Sequence, residues 1–154
     1  MSTIATAQIL TDLHAEILSD SGVTALIGTR LRYGRARQKE VMPYVVYQIL
    51  TKIPTLTHDG DARHAQMPMQ FDVWAATHYQ ATQVADALES KLVGIRTSRG
   101  STSIQFGNLD RAFTAFDDET EFCRFSGDFN FFFGISSGDF LAADWNASDW
   151  KTVA

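Results

Sequence analysis

Residues 43–50, PYVVYQIL, and residues 69–75, MQFDVWA, followed by a capped amphipathic segment ending near Val93, read as strand, strand and helix. Tyr44 to Leu50 is dense in β-branched and aromatic residues on both faces, which suits an inner strand covered by helices on one side and by a neighbour on the other. The second strand alternates: Met67, Met69, Phe71 and Val73 face one way, and Gln66, Pro68, Gln70 and Asp72 the other. Pro68 has no N–H to give to a ladder, so it belongs at an edge, a bulge or the open side of its strand. Thr77 and Gln80 stand at capping-box spacing and open a helix with a stripe of Ala81, Val84, Ala85, Leu88 and Leu92, which Gly94 stops. The unit is a scaffold of α+β type and carries no evident chemistry.

Outward from it, Ile9, Leu10, Leu13 and Ile17 recur at helical spacing, so a helix capped by Ser2 or Thr3 runs until Ser19, Asp20, Ser21 and Gly22 end it. Val23 to Ile27 is expected as a further helical turn, and Leu31 to Tyr33 as a short strand between arginines. The run TLTHDGDARHA, 55–65, is a hairpin tip or flap with Asp59-Gly60 as turn signal. After the second main helix, Thr97 to Ser103 reads as a polar loop around Gly100. Weaker strands follow at Ile104 to Phe106 and Arg111 to Phe116, and then an acidic turn of Asp117, Asp118, Glu119 and Glu121. The last strand is the clearest: Cys123, Phe125, Gly127, Phe129, Phe131 and Phe133 share the core face, with Arg124, Ser126, Asp128 and Asn130 opposite. Past Gly134 the character changes, so residues 1–134 form the domain and 135–154 an appended arm. No solenoid-type repeat is present.

Composition bounds the function. A chain of 154 residues, 45% hydrophobic, makes one core and buries roughly 70% of its unfolded surface. A net charge of -5 and a pI near 5.2 argue against coating nucleic acid by bulk attraction. Cys123 is the single cysteine, so no internal disulfide forms. No apolar run approaches the roughly 20 residues of a membrane span, and MSTIATAQILTDLH lacks a signal-peptide pattern, so cytoplasmic synthesis is expected.

The candidates for chemistry are weak. Gly134-Ile-Ser136-Ser137-Gly138 matches the nucleophile-elbow pattern, but that chemistry needs a histidine after the serine and the last histidine is His78; a hinge is the expectation. His58, Asp59, Asp61 and His64 gather possible metal ligands in one loop, yet their spacing fits no closed zinc pattern and a solvated loop is expected. His14 and His78 read as surface residues and Cys123 as core filling. No phosphate-cradling loop exists, and no cofactor or metal is expected.

Charge placement is more informative. Arg30, Arg32, Arg35, Arg37 and Lys39 cluster just before the central strand, whereas Asp139, Asp144 and Asp149 punctuate the arm. The basic run is either a solvated loop or a contact for an acidic neighbour, a subunit or partner protein before DNA. Trp145 and Trp150, on a polar arm tethered by glycine, are favoured as interface anchors.

VTALIGTRLRYG after a helix, then MPYVVYQIL, a variable loop, QFDVWAATHYQATQVADALESKL and the strand CRFSGDFNFFF together resemble the tail-completion or tail-terminator proteins of long-tailed phages and phage-like gene transfer agents, over about residues 5 to 134. The resemblance implies an antiparallel sheet of about four or more strands flanked by two main helices, here with a C-terminal extension that the family pattern does not match. It implies a structural, non-enzymatic virion protein, assembled in the host cytoplasm. As a six-fold ring it would cap the tail tube, stop tube growth and join the head connector. The implied partners are further copies of the chain, the major tail tube protein and a head-closure or connector protein. DNA would be only transient channel contents, with no membrane partner. Tyr44, Tyr47, His58, Asp59, the arginines at 30, 32, 35 and 37, Trp145 and Trp150 are the candidate ring or partner contacts. Asp117, Asp118, Glu119 and Glu121 are candidates for a lumen that DNA traverses without sticking. The alternatives are a head-closure stopper or connector adaptor, a small hydrolase using Ser136, a metal enzyme using His58, Asp61 and His64, and a non-viral interaction module acting through the arm.

Overall fold

The computed structural model describes residues 5–55, 63–117 and 122–135, with the backbone alone for 111–117. Helix α1 spans Thr6–Leu18 and α2 Ser21–Ile27. Strands β1, Leu31–Tyr33, β2, Tyr44–Ile49, β3, Ile53–Thr55, and β4, His64–Ala75, precede helix α3, His78–Leu92. Strands β5, Arg96–Arg99, β6, Thr102–Asp117, and β7, Phe122–Ile135, complete the described chain. One seven-stranded sheet runs β1-β2-β4-β7-β6-β5, with β3 also paired to β4. The α+β expectation holds, with seven strands where about four or more were expected and the helical turn expected at Val23 to Ile27 present as α2, a third helix; the sheet is mixed and not wholly antiparallel, because β1 runs parallel to β2.

The centre is β4 on β7, antiparallel from His64↔Gly134 to Ala75↔Cys123. Their alternating patterns coincide in this register, so Met67, Met69, Phe71 and Val73 share a face with Phe129, Phe131 and Phe133, all essentially buried. Ile9, Leu13 and Ile17 of α1, Val23 and Ile27 of α2, and Ala81, Val84, Leu88 and Leu92 of α3 close over that face. Tyr47 stacks on Phe71 at 5.3 Å between ring centroids, and Phe129 meets Phe71 edge-on at 5.3 Å, arrangements that add to area burial. Cys123 fills the same core. The residues opposite on β4 and β7 form an outer polar network: Asp72 accepts from Ser126 Oγ at 2.7 Å and Arg124 at 3.1 Å, and Gln70 donates to Ser126 at 2.9 Å.

Pro68 lies on a central strand, and its position resolves the difficulty of a missing donor. Its carbonyl accepts from Leu50 N, so the same edge of Pro68 faces the bend between β2 and β3, where no strand partner needs an N–H. The second capping expectation is met: Thr77 Oγ1 accepts from Gln80 N, and Gln80 Oε1 accepts from Ala76 N. For α1 the N-cap is Ala5, without a side-chain cap; Ser2 and Thr3 lie outside the described residues.

Several local readings are corrected. Tyr44–Leu50 is inner, but only Val45 and Tyr47 are fully buried, because the helices cover one face. The polar loop 97–103 is the β5–β6 hairpin, joined at Arg99↔Thr102. Gly100 there takes φ +58°, and a Cβ would stand 2.6 Å from Asp12 Oδ1, so only glycine fits. The two weak strands are one long β6, with register shifts between Phe106 and Asn108 and between Leu109 and Arg111; these bulges erased the period-two signal. The flap is preceded by β3, which pairs Thr55 with His64; residues 56–62 lie outside the described residues. His14 is half-buried, its Nδ1 3.0 Å from the Tyr47 hydroxyl, and burial with the nearby Arg32 charge holds its pKa below the usual value. His78 is exposed, as expected.

Helix α1 is tied to the far hairpin by two buried carboxylates that flank its apolar stripe. Asp12 accepts from Thr102 Oγ1 at 2.6 Å, and Glu16 accepts from Lys91 at 2.8 Å and Arg99 at 2.5 Å. Burial raises the Glu16 pKa, but the bonds from Lys91 and Arg99 outweigh it and hold the carboxyl below its ordinary value of 4.5. The unfolded chain therefore takes up this proton at higher pH than the folded one. The stability from Glu16 is complete above about pH 4.5 and is lost as pH falls through the folded value. Urea denaturation against pH is expected to show this loss, with Glu16→Gln costing about 2 kcal/mol at pH 7 and flattening the acid limb. Phe71→Ala is expected to cost about 3–5 kcal/mol, whereas exposed Tyr79→Ala stays within about 0.5 kcal/mol by the same measurement.

Candidate assembly surface

Among the described strands, β1 and β5 end the sheet and β3 pairs on one side with β4; β1 and β5 are both short and arginine-bearing. Short, charged edges discourage indiscriminate strand pairing. At the β1 edge the basic run divides into two groups. Arg30 donates through Nε to the Pro43 carbonyl at 2.9 Å, clamping the loop that carries the cis Met42-Pro43 bond. Arg32 pairs with Glu40 at 2.7 Å and donates to the Thr29 carbonyl at 3.2 Å. These two guanidinium groups thus hold the 29–43 segment together. Arg35, Arg37 and Lys39 are exposed, beside exposed Tyr33 and Val41, which is 65% accessible.

Among the remaining candidates, Tyr44 is half-buried, and burial together with the Glu40 charge raises its pKa. Tyr47 is 1% exposed and belongs to the core of its own chain, where burial and the neighbouring Tyr33 push its pKa well above the usual value. His58, Asp59, Asp61, Asp118, Glu119, Glu121, Ser136, Trp145 and Trp150 lie outside the described residues, and of Asp117 the structure describes the backbone, paired with Phe122 at the end of β6. His64 sits on β4, half-exposed. Among the described residues no group of three or more His, Cys, Asp and Glu gathers as a metal site, and no helix is long and apolar enough to cross a membrane.

A second surface escaped the sequence reading. On the face of the sheet turned away from the helices, Ile53, Gln66, Phe132, Gln105 and Arg96 stand in one cross-strand row. Ile53 and Phe132 are 48% and 44% exposed. Beside this row lies a groove of about 700 Å³ lined by Thr55, His64, Ser98, Ser103 and Phe132, among others. Its floor at Gly134 leaves no room for a side chain: a Cβ would come within 2.6 Å of Ser103 Oγ and 2.9 Å of the His64 ring. The signal was present as Phe132, an aromatic of β7 out of phase with the core face, but its cross-strand neighbours depend on register.

The chain from Thr11 to Phe133, almost all of the described fold, matches the sequence model of a family described as tail completion protein gp17. The chain belongs to that family. Solved structures agree on the fold. A chain from the virion of a native gene transfer agent particle is similar at 17% identity and a TM-score of 0.65, over 86% of this chain and 99% of that one. The gp17 protein of bacteriophage SPP1 is similar at 17% identity and a TM-score of 0.51, over 85% of this chain and 91% of that one. A comparison with curated protein sequences finds no match. The family resemblance read from the sequence thus stands, and a virion-associated role in tail completion follows from membership. The 33–41 loop and the outer groove are exposed surfaces of this fold. Reversing Arg35, Arg37 and Lys39 to Glu together is expected to leave the monomer's urea midpoint unchanged, within about 0.5 kcal/mol. The same variant is expected to lower self-association or tail binding at least tenfold by sedimentation and pull-down.

Proposed function

We propose that this tail completion protein closes into a six-fold ring that caps the finished tail tube, stops tube growth and provides the surface on which the head connector docks. The observation that carries the reading is the family match across α1 to β7. The physics is compatible. A cyclic ring needs two different patches per subunit that meet head to tail, and the cationic 33–41 loop and the outer groove lie on different parts of the sheet. With a chain charge of -5, the ring repels DNA passing through its lumen, with the β6–β7 turn from Asp117 onward as the lumen-facing candidate. Its work is geometric: no catalysis, cofactor or metal enters the reading.

Negative-stain electron microscopy and light scattering are expected to show six-fold rings and a six-fold mass, in solution or on tube ends. Particles assembled without the protein are expected to carry tubes of irregular length that fail to join filled heads. Normal, uniform, attached tails in its absence would refute the proposal. Labelled protein found on the head side of the joint would reassign it as a stopper or adaptor.

A further inference from the structure

The basic loop that follows β1 is stitched to the body of the fold. Gly34 N donates to the Tyr47 carbonyl at 2.9 Å and Glu40 N to the Arg37 carbonyl at 3.2 Å, while the pair of Arg32 with Glu40 closes the base. Arg35, Arg37 and Lys39 are therefore carried on a held loop, all three exposed, with exposed Tyr33 and Val41 at its ends. Among the described residues none of these three cations has an ion-pair partner.

Helix α3 carries the opposite sign. Its apolar stripe is spent on β4 and β7, and its outer face runs through Tyr79, Gln83, Asp86 and Ser90 to Val93, just past the helix, at three- and four-residue spacing. Tyr79 and Val93 are 75% and 48% exposed. Asp86 is exposed, and Glu89, three positions on, is half-exposed. Partial burial, and then the like charge of Asp86, hold the Glu89 carboxyl above its ordinary pKa. Lys91, the basic residue of the last turn, is committed to Glu16 and does not offset the pair.

Sign decides which surfaces can meet, because like charges set face to face disfavour a contact and opposite charges steer it. The outer groove carries Arg96, of the same sign as the loop, so it is a poor seat for Arg35, Arg37 and Lys39. The α3 face is complementary to them. Within one chain no ion pair joins the two patches: the loop stands beyond the β1 edge, and α3 packs on strands further in.

We propose that the 33–41 loop of one copy docks on the α3 face, Tyr79 to Val93, of the next copy, with Arg35, Arg37 and Lys39 against Asp86 and Glu89. Each copy gives a loop and receives one, the head-to-tail contact that a closed ring requires. The inference rests on the ring reading and names the two patches that close it.

Charge exchange on the full-length protein tests it, by sedimentation at low ionic strength, in solution and on tail-tube ends. The loop variant, Arg35→Glu with Arg37→Glu and Lys39→Glu, and the helix variant, Asp86→Lys with Glu89→Lys, are each expected to associate at least tenfold more weakly than the natural chain. The two reversals move the net charge in opposite directions, so a loss from both is not an effect of net charge. Mixed in equal amounts, the two variants are expected to associate again, since each presents the sign the other now needs. A chain carrying all five substitutions is expected to do the same. Should either variant lose its urea midpoint, Arg37→Glu and Asp86→Lys alone repeat the exchange. Association that survives both reversals, or a loss that neither mixing nor the combined variant restores, would overturn this contact and leave the ring reading standing. A natural chain that is monomeric in solution and absent from tube ends would overturn both.

Discussion

The pairing of β4 with β7 is the constraint on which the rest of the structure depends. Twelve consecutive register partners, from His64↔Gly134 to Ala75↔Cys123, put a methionine-phenylalanine-valine face beside a phenylalanine face. A slip of one residue would turn Met67, Met69, Phe71 and Val73 against Ser126, Asp128 and Asn130, exchanging a dry core for polar groups. Both strands are flanked on each side, β4 by β2 and β7, β7 by β4 and β6, so the register is enforced from several directions. The helices follow from this: α1, α2 and α3 are amphipathic because one apolar sheet face exists for them to cover.

How much of this was legible in the sequence depended on periodicity. The faces of β4 and β7 and the stripe of α3 could be read position by position, because each keeps an unbroken period and a clear cap or stop. The β6 strand was read as two pieces because its bulges shift the phase at Gly107 and Asp110. The β5–β6 hairpin was hidden because Thr97 and Ser98 of the edge strand β5, Ser101 of the turn and Ser103 of β6 are all polar, with no apolar alternation to announce it. The burial of Asp12 and Glu16 is set by Thr102, Lys91 and Arg99, distant in sequence, so nothing local to the helix announces it. The same limit applied to the assembly surfaces. A basic run can be counted, but whether Arg30 and Arg32 face outward is decided by Pro43 and Glu40. Tyr47 looked available because a strand dense in aromatics does not reveal which of them the helices cover.

Within the tail completion family, the consequence is a division of labour over the surface. One face of the sheet is consumed by the chain's own helices. The other carries an outer polar network at the Asp72 end and an apolar groove at the Phe132 end, and the basic loop beyond β1 stands apart from both. Association that uses the outer face and the loop leaves the core untouched, so assembly defects and folding defects are separable by mutation.

The carboxylates of α1 also shape how the chain is made. Glu16 meets Lys91 and Arg99 across 75 and 83 positions, and Asp12 meets Thr102 across 90. Together with β7, the last described strand, inserted at the middle of the sheet, this makes the fold one of distant contacts, which close late and slowly. During synthesis the emerging helix α1 has no sheet to rest on until β4 and then β7 have left the ribosome. The chain thus spends most of its translation with apolar strands uncovered, the condition under which nascent chains are most exposed to aggregation.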